Sequence, residues 1–381
     1  MGSTRGRAAD LASHTPKLEI CEAQATSLAT VGTPSDSLHA TESEDMADPF
    51  PAAAFPEASP TESSPRARRL PLVRRGDAFD LLDELEPNSV DLVLTSPPYW
   101  GLRTYGHDYN ENILEEWKAT GRAATEPPGY SWYRDHGGAL GLEPYPQWYV
   151  AHLVEILSKL RRVLKPTGSL WLNIGDTYFG RWSSIRADGR QGLGESDRIR
   201  RRTPSGGWLL DKQLLLIPSR TAIALQDDGW IVRNDVIWAK PSVAPRPEAD
   251  RLRLSHEHFF HVVQRPRQGR ASYYYNLEAA EPDRLDVVAV GVRKGQDGHS
   301  ATFPADLIRP RIESSCPPGG LVLDPFCGTG RSLVVAVESG RVAHGFELSE
   351  RYAQAARANV RRAHLAVEQL VPRRDPSETS R

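Results

Sequence analysis

Apolar residues Tyr149, Leu153, Ile156, Leu157, Leu160, Val163 and Leu164 recur at steps of three and four, the spacing of a helix with one buried stripe. Lys165-Pro166-Thr167-Gly168 breaks that pattern, and Ser169-Leu170-Trp171-Leu172-Asn173-Ile174 then reads as a strand. Similar apolar runs occur at 89–95, which enters a Pro-Pro loop, and at 321–324, which enters a glycine-rich turn. Residues 72–77 read as a strand closed by a turn, with helical spacing over 78–85. A further helix starts near Pro218 and stops before Gly229, and 230–238 follows as a strand. A helix at 331–339, a strand at 342–347 and a helix capped by Ser349 complete the pattern. Strands alternating with helices at this spacing predict an α/β fold on a doubly wound, mostly parallel sheet.

The remaining stretches lack a period. Residues 1–66 are rich in Pro, Ala and Ser and read as a disordered tail. Met1 and Met46 are the only methionines, so translation from Met46 is an alternative start that mass spectrometry of the native N-terminus would reveal. One folded domain is expected over 67–370, with loop insertions at 101–147 and 180–207, a polar, basic and aromatic region at 241–300, and a polar tail at 371–381.

A hydrophobic content of 39% is enough for a full core, and no apolar run is long enough to span a bilayer. No secretory signal follows Met1, and Cys21, Cys316 and Cys327 are an odd set without metal-ligand spacing. These features predict a cytoplasmic protein with no membrane or metal partner. A net charge of −2 argues against a uniformly basic nucleic-acid binder, but its distribution is uneven, with an acidic tail and arginine clusters later.

Two short stretches carry chemistry. Asp324-Pro325-Phe326-Cys327-Gly328-Thr329-Gly330 lies at a strand-to-helix turn, where glycines admit a ligand and the helix start offers unpaired N–H donors. The next strand ends in Gly345-Phe346-Glu347, whose carboxylate suits the two hydroxyls of a ribose. A NAD-dependent oxidoreductase would use a similar turn, but position 333 is leucine where G-x-G-x-x-G needs glycine. Asp324 at the strand tip would repel a pyrophosphate and attract an ammonium, which favours S-adenosylmethionine. Cys327 reads as a small buried residue.

Thr95-Ser96-Pro97-Pro98-Tyr99-Trp100 follows the strand at 89–95, at the sheet edge where α/β proteins bind ligands. Taken alone it is a stiff turn. An exocyclic base amino group is a poor nucleophile because its lone pair is delocalised into the ring. Hydrogen bonds accepted from that amino group, by the Ser96 hydroxyl and the Pro97 carbonyl, would drive the nitrogen toward tetrahedral geometry. Pro98 adds stiffness and carries no competing N–H, and Tyr99 offers a flat face for a base flipped out of the duplex.

Together these stretches resemble the catalytic and cofactor motifs of amino-methylating (N4-cytosine/N6-adenine) DNA methyltransferases. Their order, catalytic before cofactor, is similar to the circularly permuted β group. Gly76-Asp77 resembles the acidic turn that reads the cofactor adenine, and Leu142-Glu143-Pro144, 149–164 and 170–176 resemble the middle block. Residues 229–241 and Phe303-Pro304 match later blocks. The resemblance implies a permuted methyltransferase fold in which Asp77, Asp324, Phe326, Gly328, Gly330 and Glu347 hold S-adenosyl-L-methionine, while Ser96, Pro97, Pro98 and Tyr99 hold the base. Serine in the first motif position is similar to N4-cytosine enzymes. N6-adenine transfer is the alternative, with the NAD oxidoreductase more distant.

Double-stranded DNA is then the expected substrate, and a cognate restriction endonuclease a candidate partner. Arg200, Arg201 and Arg202 lie in one arginine cluster with Arg181, Arg186, Arg190 and Arg198. Arg246, Arg251 and Arg253 open a second that continues through Arg265, Arg267 and Arg270 to Tyr273-Tyr274-Tyr275. Arginine suits phosphates and guanine edges, so both clusters are expected to contact DNA, with target recognition around 241–300. Cys316-Pro317-Pro318 reverses the order of a catalytic Pro-Cys pair and reads as a turn, and His256 and His258 read as structural.

Overall fold

The computed structural model describes residues 71–101, 109–179, 204, 206–242, 249–280, 284–291 and 303–370. The expectations for 1–66, for Arg181 to Arg202, for Arg246 and for 371–381 fall outside these residues. In chain order the elements are β1 (Leu72–Arg75), α1 (Ala78–Leu81), β2 (Val90–Thr95), α2 (Ile113–Ala119), α3 (Tyr130–Asp135), α4 (Pro146–Val163) and β3 (Leu164–Ile174). Then come α5 (Ile217–Asp227), β4 (Trp230–Ala239), β5 (His256–Gln264), β6 (Val287–Ala289), α6 (Ala305–Ser315), β7 (Leu321–Asp324), α7 (Arg331–Glu338), β8 (Val342–Glu347) and α8 (Glu350–Leu370).

The strands form one sheet in the order β1-β8-β7-β2-β3-β5-β4-β6, with every neighbouring pair parallel except those made by β5. From the β7–β2 junction the chain steps one way from β7 to β8 and the other way from β2 to β3, so the two motif-bearing strands sit side by side where the winding reverses. That is the place where open α/β sheets bind ligands. Along β2 the core alternates: Val93 packs in the cluster containing α4 and α5 residues, Leu92 and Leu94 in the cluster containing α6 and α7 residues. Pro146 at the start of α4 supplies a preset φ and needs no N–H partner, and the stripe read from sequence is fully buried along that helix.

Several elements depart from the sequence reading. Helix α1 stops at Leu81, with Leu82 as its C-cap, rather than reaching 85. Strand β3 starts at Leu164, before the Pro-Thr-Gly segment read as a break. Its pairing with β2 jumps from Val90↔Leu164 to Leu92↔Ser169, so the extra residues bulge out of the ladder. The insertion at 101–147 contains α2 and α3, helices too short to show a period.

The region 241–300 contains β5, a strand inside the sheet, and edge strand β6. In β5, His261 is 2% exposed, stacks on Trp171 with ring centroids 4.6 Å apart, and has Nε2 3.0 Å from Ser169 Oγ. Burial pushes its imidazole down to about 3, so it is a neutral core ring. A hydropathy pattern that counts histidine as polar therefore misses the strand. Residues 256–264 of that region belong to the sheet.

Candidate active site

The carboxyl ends of β1, β8, β7, β2 and β3 and the amino end of antiparallel β5 share one edge of the sheet. There the structure gathers Asp77, Glu347, Asp324, Ser96, Pro97, Pro98 and Tyr99 from strands widely separated in sequence.

Asp324 is the hinge between the two motifs. It is 2% exposed; its Oδ1 accepts from Thr95 Oγ1 at 2.6 Å and from the Phe326 amide at 3.0 Å, and its Oδ2 accepts from Ser332 Oγ. Burial raises its carboxyl to about 6, against the pull of the Ser332, Thr95 and Phe326 donors. The bond to Thr95 joins the tip of β7 to the residue immediately before Ser96. Asp324 was expected to receive a ligand's ammonium; the structure commits its oxygens to three internal donors, so any such attraction acts through charge and through lone pairs left over.

Glu347 accepts from the Gly328 amide at 2.9 Å through Oε2 and from the Ser349 amide at 2.8 Å through Oε1, and burial raises its pKa. This fixes the carboxylate against the glycine turn while leaving lone pairs for further donors. Gly328 has φ +53 and nothing within 4 Å of the position a Cβ would occupy, so the turn opens there to admit a ligand. Gly345 is the opposite case: a Cβ would lie 2.5 Å from Leu333 Cδ1 and 2.8 Å from Cys327 Sγ. Cys327 is buried, as read, and packs there. Asp77 caps α1 by accepting from the Phe79 amide at 2.8 Å, and its other oxygen accepts from Tyr130 Oη at 3.0 Å.

The Pro-Pro loop is held from two sides. Tyr99 Oη lies 2.9 Å from Asn173 Oδ1, 3.0 Å from Glu257 Oε2 and 3.3 Å from Ser96 Oγ, while Glu257 is ion-paired with Lys240. Burial, reinforced by Glu257, pushes the phenol well above its ordinary range. Gly175 lets the ring lie against β3, since a Cβ there would stand 2.8 Å from Tyr99 Cε2. On the other side the Gly101 amide donates to Gly141 O at 2.8 Å, and Trp100 Nε1 donates to Glu143 O at 3.0 Å. Glu143 and His152 are fully buried together: Glu143 Oε2 accepts from the Gly141 amide at 2.8 Å and its Oε1 lies 3.2 Å from His152 Nδ1.

A protein-family model described as DNA methylase, covering N6 and N4 methylation, matches residues 90–358. The chain belongs to this family. Among its relatives are the Type II methyltransferases M.Cfr9I of Citrobacter freundii, 36% identical over 73% of this chain and 83% of the relative, and M.SmaI of Serratia marcescens, 35% identical over 75% and 89%. The solved PvuII DNA methyltransferase, titled cytosine-N4-specific, shares the fold with a TM-score of 0.51 and 18% identity, over 80% of this chain and 88% of that one.

This DNA methylase is therefore an amino-methylating transferase with S-adenosyl-L-methionine as methyl donor, and the oxidoreductase alternative falls away. Beside the expected site residues the structure also places Asn173, Glu257, Lys240, Tyr130 and Ser332, with Thr95 as a linking group, none of which the sequence reading gave a role. Asn173 stands at the end of a strand that was read, but Glu257 stands on one that was not.

The second arginine cluster divides across the sheet. Arg251 and Arg253 precede β5 on the active-site edge, and the Arg251 guanidinium stands 3.8 Å from the Tyr178 ring centroid. Arg265, Arg267 and Arg270 follow β5, whose Gln264 Nε2 donates to Leu164 O at the start of β3, the opposite edge. Tyr273 and Tyr275 pack on His261, and the Tyr274 amide donates to Thr167 O at 2.9 Å, also away from the site. The antiparallel run of β5 separates residues that a linear reading grouped. Cys316, at the end of α6, is buried, with its thiol pushed up to about 12 by burial, which suits the turn reading. No helix among the described residues is long and apolar enough to cross a membrane.

Proposed function

We propose that this DNA methylase methylates the exocyclic N4 amino group of cytosine in duplex DNA, with the target base flipped out of the stack. The observation that carries this reading is Ser96, a neutral hydroxyl at the tip of β2, tied through Thr95 and Asp324 to the glycine turn of β7. The fold neighbour is named cytosine-N4-specific, but its likeness is one of fold alone.

S-adenosyl-L-methionine, when bound, supplies a methyl group on a sulfonium centre that is open to in-line attack. Glu347 would hold its ribose hydroxyls, Asp77 its adenine, and Phe326 with the Gly328–Gly330 turn would line the cofactor, with Asp324 providing negative charge. Ser96 Oγ and the Pro97 carbonyl accept hydrogen bonds from the base amino group, raising the availability of its lone pair. The Pro-Pro stiffness and the fixed Tyr99 phenol keep those acceptors in place, so the chain contributes mainly position. Arg251 and Arg253, with Arg200, Arg201, Arg202 and Arg246, would contact phosphates and base edges. The protein would work in the cytoplasm as the modification partner of a restriction endonuclease.

The test is chemical. Whole-genome-amplified bacterial DNA, which carries no methylation, is treated with the protein and S-adenosyl-L-methionine, digested to nucleosides and resolved by mass spectrometry. N4-methylcytosine is expected; N6-methyladenine in its place would overturn the cytosine reading and leave family membership intact.

A further inference from the structure

Among the described residues the phenol of Tyr99 has three hydrogen-bond partners, two of which can only accept. Asn173 presents its carbonyl oxygen at 2.9 Å, and its amide is pinned in that sense because Nδ2 donates to His258 O at 3.1 Å. Glu257 presents Oε2 at 3.0 Å while pairing with the Lys240 ammonium through Oε1. The single phenolic hydrogen must point toward this pair. Ser96 Oγ, at 3.3 Å, can then meet the phenol oxygen only as a donor. That distance is long for two hydroxyls, which makes it the weakest link of the three.

We infer that Glu257, held by Lys240, is the terminal acceptor of a one-way hydrogen-bond chain from Ser96 through Tyr99 that turns the Ser96 lone pairs toward the target amino group. A lone serine hydroxyl rotates freely and can present its hydrogen to an incoming amine as readily as its oxygen. Here its hydrogen is claimed by Tyr99, so the oxygen faces the base, and each link polarises the next by roughly 10–30%. Neither Glu257 nor Lys240 touches the base in this account; both are positioning residues acting through Tyr99. The inference rests on the reading of Ser96 as the amino-group acceptor and adds what makes a neutral serine suffice.

The decisive variant is Glu257→Gln, which keeps the side-chain volume but offers an NH2 that can donate to the phenol oxygen and reverse the last link. Single-turnover methylation is followed with tritiated S-adenosyl-L-methionine on whole-genome-amplified bacterial DNA, beside calorimetric affinity for S-adenosyl-L-methionine. The rate should fall at least tenfold with cofactor affinity and KM for DNA unchanged. Tyr99→Phe, which leaves the Lys240–Glu257 pair intact, should lose at least as much, and the double variant should be no slower than Tyr99→Phe alone. A wild-type rate in either single variant, or a double variant that loses the product of the two single effects, overturns the chain. If Glu257→Gln loses cofactor binding, Tyr99→Phe alone decides. Ser96→Ala separates the two claims: full activity there overturns the serine mechanism itself, whereas loss there with an active Glu257→Gln overturns the chain alone.

Discussion

Replacing Thr95 by Val keeps the buried shape of the β2 tip and removes one hydrogen bond, the 2.6 Å donation to Asp324 Oδ1. Hydrogen bonds to a charged group contribute about 1.5–3 kcal/mol. At 1.36 kcal/mol per pH unit, that raises the midpoint of the Asp324 carboxyl, already lifted to about 6, by roughly one to two pH units. A carboxyl whose folded value is raised contributes its full stability below the unfolded value of 3.8 and loses it as pH rises through the folded midpoint. In the wild type that loss amounts to about 3 kcal/mol between pH 4 and pH 7. In Thr95→Val the loss runs further, to about pH 8, so the variant's deficit should be small near pH 4–5 and grow to about 1.5–3 kcal/mol at pH 8. Urea unfolding at several pH values, wild type against variant, measures the deficit directly. In an Asp324→Asn background the Thr95→Val deficit should lose its pH dependence. A deficit that stays constant from pH 4 to pH 8, or that persists with the same slope in the Asn background, would show that Asp324 is not the ionised acceptor of Thr95.

Ser96→Ala should lower the single-turnover methylation rate on the order of a hundredfold, the scale of losing one preorganised polar contact to the reacting group, while calorimetric affinity for S-adenosyl-L-methionine stays within a factor of two. Gly345→Ala forces a methyl to 2.5 Å from Leu333 Cδ1 and 2.8 Å from Cys327 Sγ, so unfolding free energy should drop by about 1–3 kcal/mol and cofactor affinity should fall with it. An Ala at that position with unchanged melting would refute the close packing of β8 on the turn. Arg251→Ala with Arg253→Ala should weaken DNA binding and flatten its dependence on salt, the slope falling by roughly one for each phosphate that is no longer neutralised. Arg265→Ala with Arg267→Ala, on the opposite edge, should leave both unchanged; filter binding across a salt series distinguishes the pairs.

Much of the scaffold is written locally. The helix over 146–163 declares itself because its buried stripe repeats at helical spacing, and β2 and β7 because buried parallel strands are mostly apolar, here interrupted only by Asp91 and by Thr95 and Asp324 at the tips. The catalytic and cofactor motifs were legible for a related reason: proline and glycine at strand tips restrict or free the backbone in ways that few other residues can. The short helices α2 and α3 were not, since they have too few turns to set up a repeat.

Which strands end in the Pro-Pro loop and the glycine turn, and in which order, follows from local signals that need only neighbouring residues. What stands beside them follows from the assembled sheet. Thr95 and Asp324 are 229 positions apart, and Tyr99 and Glu257 are 158 apart, so no local pattern links them. Their meeting depends on sheet order and on the reversed direction of β5. That strand was hidden because a buried neutral histidine looks polar in sequence, and its reversal brings Glu257 to the site while carrying Arg265 and Arg267 away from it.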